Sequence, residues 1–179
     1  MIFGTLLLSA LMISPAFGTT GKVIRTLSEN KLLNTVIKVG DRLETNQEEV
    51  LIEFLPSLQV ILLPSSIIKL HKDEIFLEKG SLRYQALEAK DKFTVTSEMI
   101  KFSPQGGRVQ FEVSKYKDEV VLNVEVGEVE AASPLVMTFV PEMIKANKGF
   151  AFSAKKRKFE QRNFKLQNKP RLEFKRKQD

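Results

Sequence analysis

The sequence predicts an all-β domain of short strands, in a coiled, solenoid-like or sandwich arrangement, followed by a basic C-terminal tail. Three observations predict this fold class. Runs of about five to eight residues alternate between apolar and polar side chains, which is the period of a β-strand. Turn-forming residues separate these runs. No helical periodicity alternates with the runs, so a parallel α/β sheet is not indicated.

The first 18 residues, "MIFGTLLLSALMISPAFG", resemble an export signal. They contain no charged side chain, an apolar centre at residues 6–13, a helix-breaking Pro15, and a small-x-small cleavage pattern at residues 16–18. We expect cleavage after Gly18 and a periplasmic or otherwise exported protein. The alternatives are a buried N-terminal strand or helix and an uncleaved anchor, although the apolar stretch is short of the ~20 residues that a span needs.

Residues 19–154 form the predicted β domain. In "RVQFEV", residues 108–113, one face carries Val109, Phe111 and Val113. "EVVLNVEV" and "KFTVTS" alternate in the same way, and their residues are β-branched or aromatic. "QVILLP" is apolar on both faces, which predicts a central strand.

Turn residues and single glycines punctuate the predicted strands. Turns are expected at residues 55–57, 64–66, 90–91 and 104–107, with helical pieces limited to the signal, a turn at residues 141–148 and part of the tail. A lone glycine weakens a strand because it has no side chain to pack. We therefore interpret Gly40, Gly80 and Gly127 as corners where the chain changes direction, and Gly107 as a turn glycine. The alternative is that the three corner glycines are unrelated turn residues.

Composition argues against the common catalytic classes. The chain has no Cys, which excludes disulfides, thiolate metal sites and cysteine nucleophiles. His71 is the only histidine, so no His-based metal cluster can form. The acid pairs Asp73-Glu74 and Glu48-Glu49 are adjacent, and adjacent residues of a strand face opposite sides.

Two Ser-x-x-Lys patterns begin at Ser28 and Ser114, but the companion motifs of the Ser-Lys hydrolases are absent. No glycine-rich loop enters a helix, so no phosphate-binding loop is indicated. We interpret the chain as a non-enzymatic protein that needs no cofactor and no metal.

Residues 155–179 form a basic tail. It contains eleven Lys and Arg residues and three acidic residues, which gives a net charge of +8. The rest of the chain has seventeen basic and nineteen acidic residues, which gives a net charge of −2. The cations alternate with apolar side chains such as Phe164 and Phe174. The candidate residues for binding an anionic partner are Lys155, Lys156, Arg157, Lys158, Arg162, Lys165, Lys169, Arg171, Lys175, Arg176 and Lys177.

Such a tail can attract an anionic membrane surface or bind single-stranded nucleic acid. An exported chain would meet phosphate-rich lipid head groups, anionic envelope polymers or acidic proteins. The alternatives for its structure are a disordered or helical extension and a segment that folds back on the β domain.

From about Gly21 to Phe152 the order of motifs resembles the FecR domain family. "GKVIRTLSENKLL" matches its opening strand, "VIKVGDRLETN" its apolar-glycine-acid stretch, and "VLIEFLPSLQVILLPSSIIKL" its two core strands with a Ser turn and a Pro-x-Ser turn. "IFLEKGSLRY", "KFTVTS", "GGRVQFEV" and "VLNVEVGEV" follow in the family's order. The chain departs from the family in two turns, at "LPS" and at "GGRVQF".

The resemblance implies the periplasmic β domain of this family, without the anti-sigma and transmembrane segments that precede it in iron-uptake regulators. We therefore expect an exported, non-catalytic binding module of the cell envelope with a signalling or scaffolding role. Its partner would be an envelope protein or an anionic polymer, not a small-molecule substrate. The alternative is an intracellular protein that binds nucleic acid through its tail; the sequence leaves the oligomeric state open.

Export can be tested by expressing the full chain in a Gram-negative host. We expect periplasmic recovery and an intact mass that lacks residues 1–18. Mass spectrometry of the periplasmic and cytoplasmic fractions gives both answers. Full-length protein in the cytoplasm would contradict export and make nucleic acid the first partner to examine.

Overall fold

The computed structural model describes residues 20–26, 34–55, 57–88, 93–133, 140–155 and 158–163. In this part of the chain the secondary structure consists of β-strands, as predicted. The strands are β1 (Thr20–Thr26), β2 (Val36–Lys38), β3 (Arg42–Glu44), β4 (Val50–Leu55), β5 (Leu58–Leu62), β6 (Ile67–His71), β7 (Glu74–Ala86), β8 (Thr94–Ser97), β9 (Ile100–Tyr116), β10 (Glu119–Ala132), β11 (Glu142–Lys145), β12 (Lys148–Ser153) and β13 (Lys158–Asn163).

The described strands belong to one open, mixed sheet in which three long strands change partners along their length. The first half of β7 pairs with β6 and β8, and its second half pairs with β5 and β9. β9 first pairs with β8 and then with β7, while β10 accompanies it throughout. β10 pairs with β12 at its start and with β11 at its end.

These partner changes divide the sheet into two layers around a shared core. The first layer contains β13, β12, the start of β10, the ends of β9 and β7, then β5, β4, β1 and β2. The second contains β3, β6, the start of β7, β8, the start of β9, the end of β10, and β11. Phe54 of the first layer lies 5.2 Å, ring centre to ring centre, from Phe93 beside β8. The Tyr84 hydroxyl donates a hydrogen bond to the Phe93 carbonyl at 3.1 Å.

The apolar faces predicted from strand periodicity form this core. Val109, Phe111 and Val113 are buried together, and alternate residues of β10 join them. β5 is buried along its whole length between β4 and β7, which confirms its central place. Alternation of apolar residues therefore identified the inward side of these strands correctly.

The glycines at positions 40, 80 and 127 adopt positive φ angles of 96°, 82° and 80°. Gly40 lies in the turn from β2 to β3, while Gly80 and Gly127 lie within β7 and β10, where these strands pass from one layer to the other. In β9 the positive φ, 71°, belongs to Gly106 and not to Gly107. Only a glycine adopts these angles without strain.

Residues from three separate sequence motifs meet at the Gly80 corner. The Ser66 hydroxyl accepts a hydrogen bond from the Ser81 amide at 2.8 Å and donates one to the Ser81 carbonyl at 3.0 Å. The Thr45 hydroxyl in turn accepts a hydrogen bond from the Ser66 amide at 3.1 Å and donates one to the Leu63 carbonyl at 2.6 Å. A Cβ at Gly80 would lie 2.6 Å from Ser66 Cα, so the close contact requires glycine.

The structure corrects two expectations. Residues 141–148, expected to contain a helical turn, form β11 and the start of β12, which both pair antiparallel with β10 and are joined by a turn that uses Asn147 at a positive φ of 63°. Asparagine tolerates this conformation better than most residues, and the local pattern did not reveal it. Residues 104–107 do not end a strand, because β9 bends there and continues pairing with β10.

Of the alternatives that the sequence left open for the tail, folding back on the β domain holds for Lys158–Asn163, which form a strand paired with β12. Its charged side chains hide the period-two pattern, in which Phe159 packs against the core. The predicted signal at residues 1–18 lies outside the described residues. Within the described ranges, no helix suited to crossing a membrane occurs.

Alanine substitutions at three glycines separate backbone strain from crowding. We expect Gly80→Ala to lower the free energy of unfolding by at least about 2 kcal/mol, because it combines a positive φ with a clash. Gly40 also has a positive φ but has open space around it, so we expect Gly40→Ala to lower the free energy of unfolding by only about 1 kcal/mol. Gly107→Ala is the control, and its free energy of unfolding should stay within about 0.5 kcal/mol of the wild-type value. Urea denaturation measures all three, and equal losses would contradict the corner assignment.

Candidate functional site

The basic edge is a group of five cations on β11, β12, β13 and the turn after β12. It consists of Lys145, Lys148, Lys155, Lys158 and Arg162. β12 pairs with β13 along six residues, which brings the tail cations Lys158 and Arg162 beside the strand that begins with Lys148. The edge therefore joins three of the sequence-predicted binding residues to two that were not predicted.

Phe159 holds β13 in place. Its ring centre lies 4.6 Å from that of Phe152 and 5.2 Å from that of Phe150, both fully buried. The neighbouring residues Lys158 and Glu160 are exposed. Alternation along β13 thus buries one aromatic ring and presents the charged residues to solvent.

Three cations of the basic edge lie in weak, solvent-exposed ion pairs. Arg162 contacts Glu119 of β10 at 2.5 Å and Glu160 at 3.9 Å. Lys158 lies 3.7 Å from Glu160, and Lys145 lies 3.7 Å from Glu128. Exposed pairs of this kind stabilise a fold by about 0–1 kcal/mol, so they hold these cations only loosely and an anionic partner can compete for them.

A groove of about 210 Å³ opens beside this edge. Its walls come from β11, β12 and β13, and its lining residues are Met143, Ile144, Lys145, Lys148, Gly149 and Gln161. Met143 is 44% exposed, whereas Ile144 is buried. The groove therefore offers a small apolar floor with ammonium groups at its rim, a combination suited to an anionic group attached to an apolar chain.

β13 is also an end of the sheet. Among the described strands it has one hydrogen-bonded neighbour, β12, so its other backbone edge faces away from the sheet. A strand edge is a template for pairing with another chain, and charged side chains limit indiscriminate pairing. The sequence Lys-Phe-Glu-Gln-Arg-Asn supplies three such charges.

The described residues account for part of the predicted site. Lys155, Lys158 and Arg162 lie on the basic edge. The other eight predicted residues lie outside the described ranges: Lys156, Arg157, Lys165, Lys169, Arg171, Lys175, Arg176 and Lys177. Lys145 and Lys148 were missed, because they join this edge only through the pairing of β11 with β10 and of β12 with β13, which no local sequence pattern encodes.

The residues considered for catalysis occupy structural positions. His71 is exposed at the end of β6, edge-on to the Phe76 ring at 6.2 Å. The buried Ser114 hydroxyl donates to Glu112 Oε1 at 3.1 Å and accepts from the Ser81 hydroxyl at 2.8 Å. Within the described ranges, no group of three or more His, Asp or Glu residues is placed to bind a metal ion.

Comparison with known proteins supports the fold. No family model matches the chain, and no curated protein sequence matches it. Two crystal structures of a "putative anti-sigma factor" from Parabacteroides distasonis, at 1.65 Å and 2.50 Å resolution, are similar to it. Their TM-scores are 0.55 and 0.54, at 16% and 17% sequence identity over 69% of this chain.

The match covers 60% of each crystallised chain, so this protein spans about three fifths of their length. The β domain described above is therefore a distant relative, in fold, of an anti-sigma-factor-like structure. This agrees with the fold that the FecR resemblance implied.

Truncating Phe159 tests the attachment of β13. We expect Phe159→Ala to lower the free energy of unfolding by about 2–3 kcal/mol, because it removes the ring that packs on two buried phenylalanines. The exposed neighbour provides the control, because Lys158→Ala should change the free energy of unfolding by less than about 0.5 kcal/mol. Urea titration gives both values. A Phe159→Ala variant with an unchanged free energy of unfolding would show that β13 is not fixed to the domain.

Proposed function

We propose that this protein is an exported, non-catalytic binding module of the cell envelope, with a regulatory signalling role, that binds an anionic envelope surface or polymer through its basic edge. The observation that carries this proposal is the convergence of five exposed or half-exposed cations at one end of the sheet, beside the apolar floor of the groove.

Electrostatics favours an anionic partner at this edge. Each cation near an anionic membrane surface contributes about 1 kcal/mol of attraction. The acids beside the edge, Glu119, Glu128 and Glu160, form exposed pairs that cost little to exchange for a partner's phosphate or carboxylate groups. Binding is therefore expected to weaken with salt.

The signalling role draws on two independent considerations. The fold is similar to that of structures described as an anti-sigma factor, which suggests a regulatory domain. The predicted export signal would place this domain where it meets envelope components. A non-catalytic domain can signal by presenting its partner-bound surface to a second protein, and the free edge of β13 is suited to that contact.

Charge reversal at the basic edge tests this proposal. We expect the triple variant Lys148→Glu/Lys155→Glu/Lys158→Glu to lose at least about 100-fold in affinity for phosphatidylglycerol vesicles, since three favourable contacts of about 1 kcal/mol become unfavourable. Vesicle co-sedimentation at constant ionic strength measures the affinity. Phosphatidylcholine vesicles should not bind either protein.

The control is a triple variant with the same charge change at residues outside the basic edge, Lys38→Glu/Lys72→Glu/Lys79→Glu. All three control residues are exposed. We expect it to retain binding within about threefold, because exposed charges beyond about 10 Å are screened. Equal losses in both variants would contradict a localised site, and unchanged binding in the first would overturn the proposal.

A further inference from the structure

β13 presents an exposed edge at one end of the sheet. Among the described strands its hydrogen-bonded neighbour is β12, on one side alone. Five of its six residues are exposed, and they belong to both faces of the sheet: Lys158, Glu160 and Arg162 on one face, Gln161 and Asn163 on the other. Exposure on both faces marks a strand at the margin of a sheet, and such a strand is a template for pairing with another chain.

The described part of the chain contains four strands that end the sheet, and β13 is the longest of them. β2 and β3 have three residues each, β11 has four and β13 has six. Each pairs with one described neighbour, which is β1, β6, β10 or β12 respectively. Because a longer strand forms more interstrand hydrogen bonds, β13 is the edge best suited to accept a strand from another molecule.

Symmetry restricts how two copies of β13 can pair with each other. In a dimer with a twofold axis, if residue i of one copy contacts residue j of the other, then j also contacts i, and the two strands run antiparallel. Directly opposed residues point to the same face of a sheet, whereas neighbours along one strand alternate. Opposed residues are therefore an even number of positions apart, and one residue lies opposite its own copy.

The charges of β13 favour one of these symmetric registers. With Gln161 opposite its own copy, Glu160 of each chain lies opposite Arg162 of the other, which gives two pairs of opposite charge. With Glu160 at the centre, two carboxylates oppose each other and Lys158 opposes Arg162, so the charged pairs repel. A centre at Phe159 sets Lys158 opposite Glu160, but it pairs three residues of β13 rather than five.

We propose that two copies of this protein associate through β13, antiparallel and centred on Gln161, so that their sheets become continuous. The charged side chains are available for this contact, since Glu160 and Arg162 are 51% and 42% exposed. Within one chain they lie 3.9 Å apart, and Arg162 also contacts Glu119. These are exposed ion pairs, which cost little to exchange for pairs between the two copies.

The contact brings two basic edges and two grooves together. Gln161 lies opposite Phe150 of β12 and lines the groove, so a twofold axis at Gln161 sets the two grooves on either side of it. Two linked sites bind an extended surface more tightly than one site does. The proposal names a second copy of this chain as the protein that pairs with the β13 edge. It does not depend on the anionic partner, because strand pairing needs no anion.

Sedimentation equilibrium of the purified protein, without lipid, tests the association. A contact through one strand is at the small end of protein interfaces, so we expect a dissociation constant of about 100 μM. Glu160→Arg and Arg162→Glu each turn two attractive pairs into two repulsive pairs, and each should weaken the dimer at least about tenfold. The exposed Lys72→Glu, away from β13, is the control and should leave the dissociation constant within about threefold of the wild-type value.

Mixing the two variants tests the register itself. Glu160→Arg supplies two arginines and Arg162→Glu supplies two glutamates, so both cross-strand pairs in the mixed dimer again join Glu with Arg. The mixture should form a heterodimer within about threefold of the wild-type affinity. A wild-type protein that stays monomeric at about 500 μM overturns the proposal. An unchanged dimer in Arg162→Glu, which a centre at Phe159 predicts, or a mixture that stays monomeric, overturns the register.

A single cysteine locates the axis in an otherwise native chain, since the sequence has no cysteine. Gln161→Cys places two thiols on directly opposed residues about 4.5–5.5 Å apart between Cα atoms, within reach of a disulfide. Glu160→Cys is the matched control, because this exposed neighbour lies on a diagonal from its own copy, more than about 7 Å away. Under mild oxidation we expect Gln161→Cys to form disulfide-linked dimers at least about tenfold faster. Equal rates, which random collision produces, would contradict an axis at Gln161.

Discussion

The close contact between Ser66 and the backbone at Gly80 is the constraint on which the two-layer fold depends. β7 must pass from the second layer to the first at this point, and its glycine has a positive φ with Ser66 pressed against it. The Ser66 hydroxyl bonds both polar groups of the Ser81 backbone, so the strand is fixed just where its partners change. Thr45 fixes Ser66 in turn. These residues are far apart in sequence, and the corner exists only when β3, β6 and β7 have assembled.

The corner also positions the surfaces to which we assign function. Beyond Gly80, β7 pairs with β9, and β9 pairs with β10. β10 in turn pairs with β12 at its start and with β11 at its end. The basic edge and its groove lie where those two branches separate. The position of the basic edge therefore follows from the register that the glycine corners establish.

Sequence reasoning identified the local features and missed those that depend on pairing. Alternation in residues 108–113 gave the buried face of β9, and the apolar run of β5 gave its central place, because burial acts on each strand directly. Whether the strands form a stack or a sandwich depends on which strands pair, which no local pattern encodes. β13 was missed because one phenylalanine among charges carries little periodicity, although that ring fixes the strand. Of the basic edge, the tail cations were predicted from composition, whereas Lys145 and Lys148 join them only through the pairing of β11 with β10 and of β12 with β13.

A double-mutant cycle at Ser66 and Gly80 tests the central claim most directly. Ser66→Ala removes the hydroxyl nearest to the position of a Cβ at residue 80, and Gly80→Ala displaces the same contact. If the corner is a single packed unit, the double variant is destabilised by at least about 1 kcal/mol less than the sum of the two single variants. Urea denaturation of the four proteins provides the values. Additive losses would mean that the two residues act independently, and would contradict a fold organised around this contact.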